Sequence, residues 1–448
     1  MLRQVYEALR DADEPSRYLE FNVLMVRFMG VLVSRSLTGA LLTWSLFVLL
    51  ATHCLAGVFD LVNNSGDIAD ITANLPVTTI IFSSTYRLFF FTLHRDRYQA
   101  IVDTVGARFV ASSDSIDMAP WLRRSRIISI LYFTYGFFVA STWQLHPLIS
   151  AQLTAAQMAK ESNGTFEGLP RELWEFPTRA EYPFDARQPY VYTVVFILQG
   201  AAIFVSGCMI LVLDMMFITL TSLICGQFEI LKDKLRNMRK IATNQRQNED
   251  IGLVGKALQK QALERRKRIL DSNIEITKQD ENFNEDLITR KINLLLGECV
   301  EHHNMLLSLI SEIEFMHWSA YLVNFCVLLI IFSFSAFEVT SGTPTSPAKV
   351  VNLAEYLLVS VLQMFLLCDC GDKLVDQELS VSQAAYESEW YHCSESVKRT
   401  LQIIVLRSRQ PEQITVGKIA GLNLDTFSDM LSRSFSYFTV LRQIRDDS

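Results

Sequence analysis

Polar side chains recur along one face of the last apolar segment, residues 424–444. Asp429, Arg433, Ser436, Val440 and Gln443 follow one another at steps of four, three, four and three, so on an α-helix they form one stripe. An Asp or Arg against lipid costs roughly 3 kcal/mol or more, so within a membrane the stripe must face protein or water. The pattern predicts a helix beside a wet passage. The alternative is a buried helix in which Asp429 and Arg433 form an ion pair.

Other reactive residues form no catalytic or metal-binding pattern. Asp, Glu and His are scattered, so no nucleophile, base and orienting group can be assembled, and we do not expect an enzyme. Cys299, Glu301, His302 and His303 suggest a metal site, but adjacent histidines point to different faces of a helix, which favours a structural role. The eight cysteines predict no disulfide framework. We expect no cofactor and no nucleic-acid partner.

The composition is that of a membrane protein. Half of the 448 residues are hydrophobic, only 20% are charged, and the mean hydropathy is +0.21. Apolar runs near the roughly 20 residues needed to span hydrocarbon occur at 39–61, 71–93, 127–150, 190–222, 317–339 and 350–369. With the closing segment they predict an all-α protein with seven transmembrane helices. The fourth run is long enough to continue as a helix beyond the bilayer.

The positions of Lys and Arg predict the orientation. They are concentrated in residues 1–38, 94–125, 228–316 and 370–425, which places these segments and the N-terminus in the cytoplasm and the C-terminus outside. The glycosylation sequons at Asn63 and Asn163 both fall in connections that this topology places outside. We therefore expect a multi-pass protein of the plasma membrane, with glycans at these two asparagines.

The chain divides into segments that alternate between membrane and cytoplasm. We expect a cytoplasmic N-terminal segment (1–38), spans one to four (39–227), a cytoplasmic linker with a polar insertion (228–316), spans five and six (317–369), cytoplasmic anchor helices (370–423), and the closing span with a short extracellular tail (424–448). Apolar residues at helical spacing from Ile292 onward predict one long helix that rises into the fifth span. Pro411 is expected to end an anchor helix and Asp425 to cap the closing one.

The sequence disfavours two other classes of membrane protein. A metabotropic receptor could use seven helices, but it requires an extracellular N-terminus. Its Asp-Arg-Tyr triplet occurs here as Asp96-Arg97-Tyr98 after the second span instead of the third, which favours coincidence. A solute transporter would normally show inverted repeats, and the sequence shows none.

Three blocks of the sequence resemble insect odorant receptors. They are residues 292–337, residues 386–411 with WYHC and VLRSRQP, and residues 415–443 ending in SYFTVLRQ. The resemblance implies an odorant-gated, nonselective cation channel subunit that assembles as a tetramer, with itself or with an odorant receptor coreceptor, in the dendrite membrane of a sensory neuron. Its partners would then be a small volatile organic odorant, permeant cations and the lipid bilayer. A related gustatory-type receptor channel is the alternative.

The resemblance also assigns roles to the closing helix. It implies a gate of Val440, Gln443 and Ile444, with Ser436 and Arg433 deeper along the same pore. Arg442 occupies a position that is apolar in the coreceptor, which favours a ligand-tuned or self-sufficient receptor. The polar insertion at 241–285 is longer than in typical ligand-tuned members.

The ligand is expected among the outer halves of spans two, three, four and six. Aromatic side chains there supply contact area, and Trp143 and Tyr356 can also hydrogen-bond. The candidates are Val77, Ile81, Gly136, Val139, Trp143, Phe196, Gln199, Leu353 and Tyr356. Assembly is expected through cytosolic helices that bury apolar side chains against other subunits. The candidates for that contact are Leu295, Leu306, Trp390 and Leu401.

The topology can be tested with terminal tags and glycan mapping. We expect a C-terminal tag to be stained on intact cells and an N-terminal tag only after permeabilisation. We also expect an endoglycosidase-sensitive mass shift that Asn163→Gln reduces and that Asn163→Gln combined with Asn63→Gln abolishes. A C-terminal tag that is stained only in permeabilised cells would contradict the orientation.

Overall fold

The computed structural model describes residues 15–32, 36–64, 66, 68–109, 119–161, 174–244, 276–340 and 347–447. Most of the predicted polar insertion at 241–285 and the sequon residue Asn163 lie outside the described residues. Asn63 ends the second helix, and its side-chain amide donates a hydrogen bond to Glu181 Oε2 (2.9 Å). Glycosylation of Asn63 stays a prediction.

The described chain is a helical bundle, as predicted. Its principal helices are α1 (Pro15–Phe28), α2 (Leu37–Asn63), α3 (Ile68–Leu93), α4 (Arg95–Phe109), α5 (Ala119–Glu161), α6 (Pro189–Arg236), α7 (Ile276–Thr340), α8 (Pro347–Glu387), α9 (Glu395–Ser408) and α10 (Leu424–Asp447). A short 3₁₀ turn at Trp390–His392 precedes α9. Two short antiparallel strands, β1 (Thr415–Val416) and β2 (Ala420–Gly421), form a hairpin that the sequence analysis does not predict.

All seven predicted spans lie on these helices. Within the described residues, four helices are long and apolar enough to cross a membrane: α2, α6, the Leu287–Phe337 part of α7 and the Ala354–Glu387 part of α8. Helices α3, α5 and α10 are not among the four. Helix α3 carries a buried arginine, and α10 carries the polar stripe. These polar groups lower the mean hydropathy of both helices.

Helix α6 is the centre of the bundle. It packs against α2, α3, α5, α7 and α8 and against the amphipathic helix α1. Between Leu211 and Leu231 nearly every side chain is buried, which is typical of a helix surrounded by others on all sides. The predicted continuation beyond the fourth span is present, because α6 runs unbroken to Arg236. Likewise α7 is a single 65-residue helix that contains the predicted rise from Ile292 into the fifth span.

The closing helix α10 starts from a fixed point on α7 and α8. The hairpin turn places Gly417 and Lys418 at positive φ (65° and 59°), and the Gly417 N–H donates to the Trp318 carbonyl of α7 (2.9 Å). The Leu424 N–H donates to Asp372 Oδ2 of α8 (2.9 Å). The predicted cap by Asp425 is wrong: the helix begins at Leu424, and Asn423 Oδ1 accepts from the Thr426 N–H (2.8 Å).

Gly371 permits the close contact between α8 and the segment that leads into α10. A Cβ at Gly371 would overlap the carbonyl oxygen of Leu422, which is backbone and cannot rotate away. We expect Gly371→Ala to lower stability by about 1–3 kcal/mol, measured as the melting temperature in detergent. Gly297→Ala is the matched control, because nothing lies within 4 Å of the added Cβ on α7. Equal melting temperatures for the two variants would contradict the contact.

Candidate functional site

An internal cavity of about 140 Å³ lies between α3, α5, α6, α7 and α8. Its wall is mainly aliphatic and aromatic, and no charged side chain lines it. A dry cavity of about this size, near 150 Å³, accommodates benzene in a model protein, so the space suits a small apolar ring. The cavity is therefore the candidate ligand site.

Six of the nine predicted ligand residues line this cavity. They are Val77 and Ile81 of α3, Gly136, Val139 and Trp143 of α5, and Tyr356 of α8. The Trp143 and Tyr356 rings are 5.7 Å apart, a distance at which aromatic rings contact each other. A Cβ at Gly136 would come within 2.7 Å of Leu211, so the glycine lets α5 approach α6 closely.

The two predicted residues of α6, Phe196 and Gln199, do not line this cavity. Phe196 packs beside Tyr192 (ring centroids 5.9 Å apart), away from the cavity. Gln199 is buried, but its Oε1 accepts from the Thr178 N–H (3.2 Å) and its Nε2 donates to Tyr182 (3.0 Å), so it fastens an outer segment to α6. The residues of α6 that line the cavity lie farther along the helix, between Ile203 and Leu211. Leu353 lies on α8 where the structure does not describe side chains.

Helix α7 forms a further wall of the cavity that is not among the predicted residues. The site is predicted among spans two, three, four and six, and the fifth span, on α7, also contributes Asn324, Val327, Leu328 and Ile331. A signal was present in the sequence, because Asn324 is a lone amide within the apolar run YLVNFCVLLIIF. A polar group in such a run needs an internal partner.

A buried ion pair lies beside the cavity. Arg87 of α3 and Asp214 of α6 are each 1% exposed, and Arg87 Nη1 is 2.8 Å from Asp214 Oδ1. The other carboxylate oxygen accepts from the Tyr132 hydroxyl of α5 (3.3 Å) and from Gln363 Nε2 of α8 (2.6 Å). Tyr132 and Gln363 also line the cavity. One carboxylate thus joins four helices to each other and to the cavity wall.

The predicted stripe on α10 is exposed. Asp429, Arg433, Ser436, Val440 and Gln443 all have exposed side chains, and Val440 is 54% exposed. Met430 and Ser434, on the opposite face, are buried. The alternative of a buried helix is therefore wrong for the single chain, and Asp429 and Arg433 form no ion pair with each other in the described part of the chain. The structure does not describe the side chain of Ile444.

Helices α7 and α8 contact both the cavity and α10. The Ser333 hydroxyl of α7 donates to the Ser434 carbonyl of α10 (3.4 Å). The Phe365 ring of α8 packs edge-on against Phe427 of α10, with centroids 5.9 Å apart. Two helices that line the cavity are therefore also in direct contact with α10.

The part of the chain expected below the membrane contains one unusual carboxyl group. Glu378 of α8 is fully buried, and its Oε2 accepts from the Glu412 N–H (2.9 Å). Burial raises the pKa of Glu378 to about 7, although Arg407, 3.6 Å from its Oε1, opposes the shift. His303 packs against Phe228 in the core, where burial lowers its pKa to about 4. Among the described residues, no cluster of His, Cys, Asp and Glu could hold a metal ion.

The fold and the cavity define a helical, multi-pass membrane protein with an internal apolar site. The family model described as "7tm Odorant receptor" matches residues 67–435, and the chain belongs to this family. The predicted resemblance is confirmed. Members of this family are receptors, so the chain is a receptor and not an enzyme.

The relatives match along most of the chain. An odorant receptor coreceptor of Aedes albopictus is 23% identical, with 95% of this chain and 96% of the relative covered. Odorant receptor Or2 of Anopheles gambiae is 23% identical over 85% of this chain and 86% of the relative. The structure of the olfactory receptor OR5 from Machilis hrabei, in complex with eugenol, superimposes with a TM-score of 0.71, 17% identity and 96% and 98% coverage of the two chains.

The buried ion pair can be tested by removing one partner. We expect Asp214→Ala to destabilise the folded protein by about 3–5 kcal/mol, because Arg87 then keeps a buried charge without its carboxylate. The measurement is the monodisperse fraction on size-exclusion chromatography and its loss on heating. Asp103→Ala, which removes an exposed carboxylate of α4, is the control. If the two variants lose their monodisperse fraction at the same temperature, the ion pair does not stabilise the folded bundle.

Proposed function

We propose that this chain is an odorant-gated, nonselective cation channel subunit. A small volatile ligand binds in the cavity between α3, α5, α6, α7 and α8, and its binding favours an open arrangement of pore helices formed by α10. One observation supports the proposal most strongly. Helices α7 and α8 line part of the cavity, and the same two helices form the surface on which α10 packs. A ligand that binds the open arrangement more tightly shifts the equilibrium toward it.

The exposed stripe of α10 supports a pore. In a ring of subunits the side chains that a single chain leaves exposed can surround a central axis, and polar groups there can face water. Val440, Gln443 and Ile444 are then the gate, because a narrow apolar ring stops ions by dewetting. Ser436 and Arg433 lie one to three turns deeper. The Gln443 amide can replace part of a cation's hydration without fixing a charge, which suits weak selectivity.

The cytosolic helices would form the contacts between subunits. We propose a tetramer, mixed with a coreceptor or formed by this chain alone, in the plasma membrane with the N-terminus inside. Leu306 and Leu401 are buried within the chain's own core, so the expectation that they face another subunit was wrong. The exposed large apolar residues described in the helical segments 292–316 and 380–408 are Leu294, Tyr386, Trp390, Tyr391, Ile403 and Leu406. These are the better candidates for the subunit contact.

The pore assignment is tested with cysteines on the two faces of α10. We expect a water-soluble thiol reagent to reduce odorant-evoked current in Ser436→Cys and Val440→Cys, because both side chains are exposed. Ser434→Cys is the matched control: its position is 3% exposed against the bundle. The measurement is whole-cell current in cells that also express a coreceptor.

The outcome distinguishes a pore helix from a structural one. Modification of Ser436→Cys and Val440→Cys, but not of Ser434→Cys, supports the proposal. If neither stripe cysteine reacts even with agonist present, α10 does not line the pore. A current that requires G proteins would instead support a metabotropic receptor.

A further inference from the structure

Four polar atoms on the cavity wall have no hydrogen-bond partner among the described residues. They are Ser83 Oγ, Trp143 Nε1, Asn324 Nδ2 and Tyr356 OH, one each from α3, α5, α7 and α8. Ser83 is 1% exposed and Asn324 is 3% exposed. Because about nine-tenths of buried polar groups in folded proteins are paired, four unpaired atoms around one cavity require a physical explanation.

The remaining polar side chains of the wall are satisfied internally. The Ser206 and Ser84 hydroxyls hydrogen-bond each other (2.6 Å), and the Ser360 hydroxyl donates to the backbone carbonyl one turn earlier (2.9 Å). Tyr132 and Gln363 both donate to Asp214. Other buried atoms in the described part of the bundle also lack partners, among them Arg87 Nε and Tyr321 OH, but only these four belong to residues of the cavity wall, where a ligand could pair them.

All four unpaired atoms can donate a hydrogen bond. An indole N–H only donates, an amide nitrogen donates, and the Ser83 and Tyr356 hydroxyls can do either. Trp143 and Tyr356 stand next to each other, with ring centroids 5.7 Å apart. Ser83 lies one helical turn from Arg87, so it faces the end of the cavity nearer the buried ion pair. The wall thus offers donors in two places and no charge.

We propose that the cavity selects small neutral carbonyl compounds over hydrocarbons of the same shape. This inference rests on the proposed function, and it names the ligand class of that site. A carbonyl oxygen has two lone pairs and can accept from Trp143 and Tyr356 together. The aliphatic wall then surrounds a ring of about the size of benzene, which the cavity volume of about 140 Å³ can hold.

The test compares ketones with hydrocarbons in which =CH₂ replaces the carbonyl oxygen. Cyclohexanone with methylenecyclohexane and acetophenone with α-methylstyrene are such pairs, nearly identical in shape. Dose-response curves of whole-cell current are recorded with a coreceptor. We expect each ketone to be at least roughly tenfold more potent than its partner, because only the ketone gains hydrogen bonds from the two buried donors, which the hydrocarbon leaves unpaired as they are in the empty cavity.

Variants then assign the preference to particular atoms. Trp143→Phe and Tyr356→Phe each remove one donor and keep an aromatic ring, so ketone potency should fall roughly two- to tenfold while hydrocarbon potency does not. Comparing the two ligands separates the lost hydrogen bond from altered packing. Tyr192→Phe is the matched control, because its hydroxyl bonds the Glu175 carbonyl (2.7 Å) away from the cavity.

The results distinguish this inference from the proposed function. Hydrocarbons as potent as their ketones, or a ketone preference that survives both variants, would overturn the carbonyl assignment and leave odorant gating intact. Responses to other volatiles but to no ketone would overturn it as well. If no volatile of any class evokes current in cells where surface protein is demonstrated, the proposed function itself fails.

Discussion

The ion pair between Arg87 and Asp214 is the interaction on which the rest of the bundle depends. Both charges lie within helices that cross the predicted membrane region, where an unpaired charge is costly. The carboxylate offsets this cost by accepting hydrogen bonds from three different helices. The Asp214 carboxylate lies on α6, the central helix. Its hydrogen bonds therefore fix the positions of α3, α5 and α8 relative to α6. The cavity is the space left between those helices and α7.

The cavity and the closing helix α10 contact the same two helices, α7 and α8. On α7, Asn324 lines the cavity and Ser333, about two and a half turns away, contacts α10. On α8, Tyr356 lines the cavity and Phe365, the same distance along the helix, contacts α10. The start of α10 is tied to both helices through Trp318 and Asp372. In the proposed mechanism, a ligand between α7 and α8 acts on α10 by small shifts of these two helices.

Much of this architecture could be predicted from the sequence, because hydropathy and helical spacing report directly on spans and on faces. The long α6 and α7, the exposed stripe of α10 and the cavity residues of α3 and α5 are of this kind. That Phe196 and Gln199 do not line the cavity could not be predicted, because the rotation of α6 about its axis depends on its packing against the surrounding helices. The pairing of Arg87 with Asp214 joins residues 127 positions apart, which no local pattern shows. The hairpin before α10 was missed because each strand has only two residues.

The central claim is that occupation of this cavity opens the channel. Its most direct test is the odorant-evoked current of Ala140→Trp, in which an indole fills space that Ala140 leaves open on the cavity wall. Recordings with a coreceptor, at matched surface expression, should show that odorant-evoked current is lost. A dose-response curve equal to that of the unmodified receptor, with the cavity filled, would contradict the account.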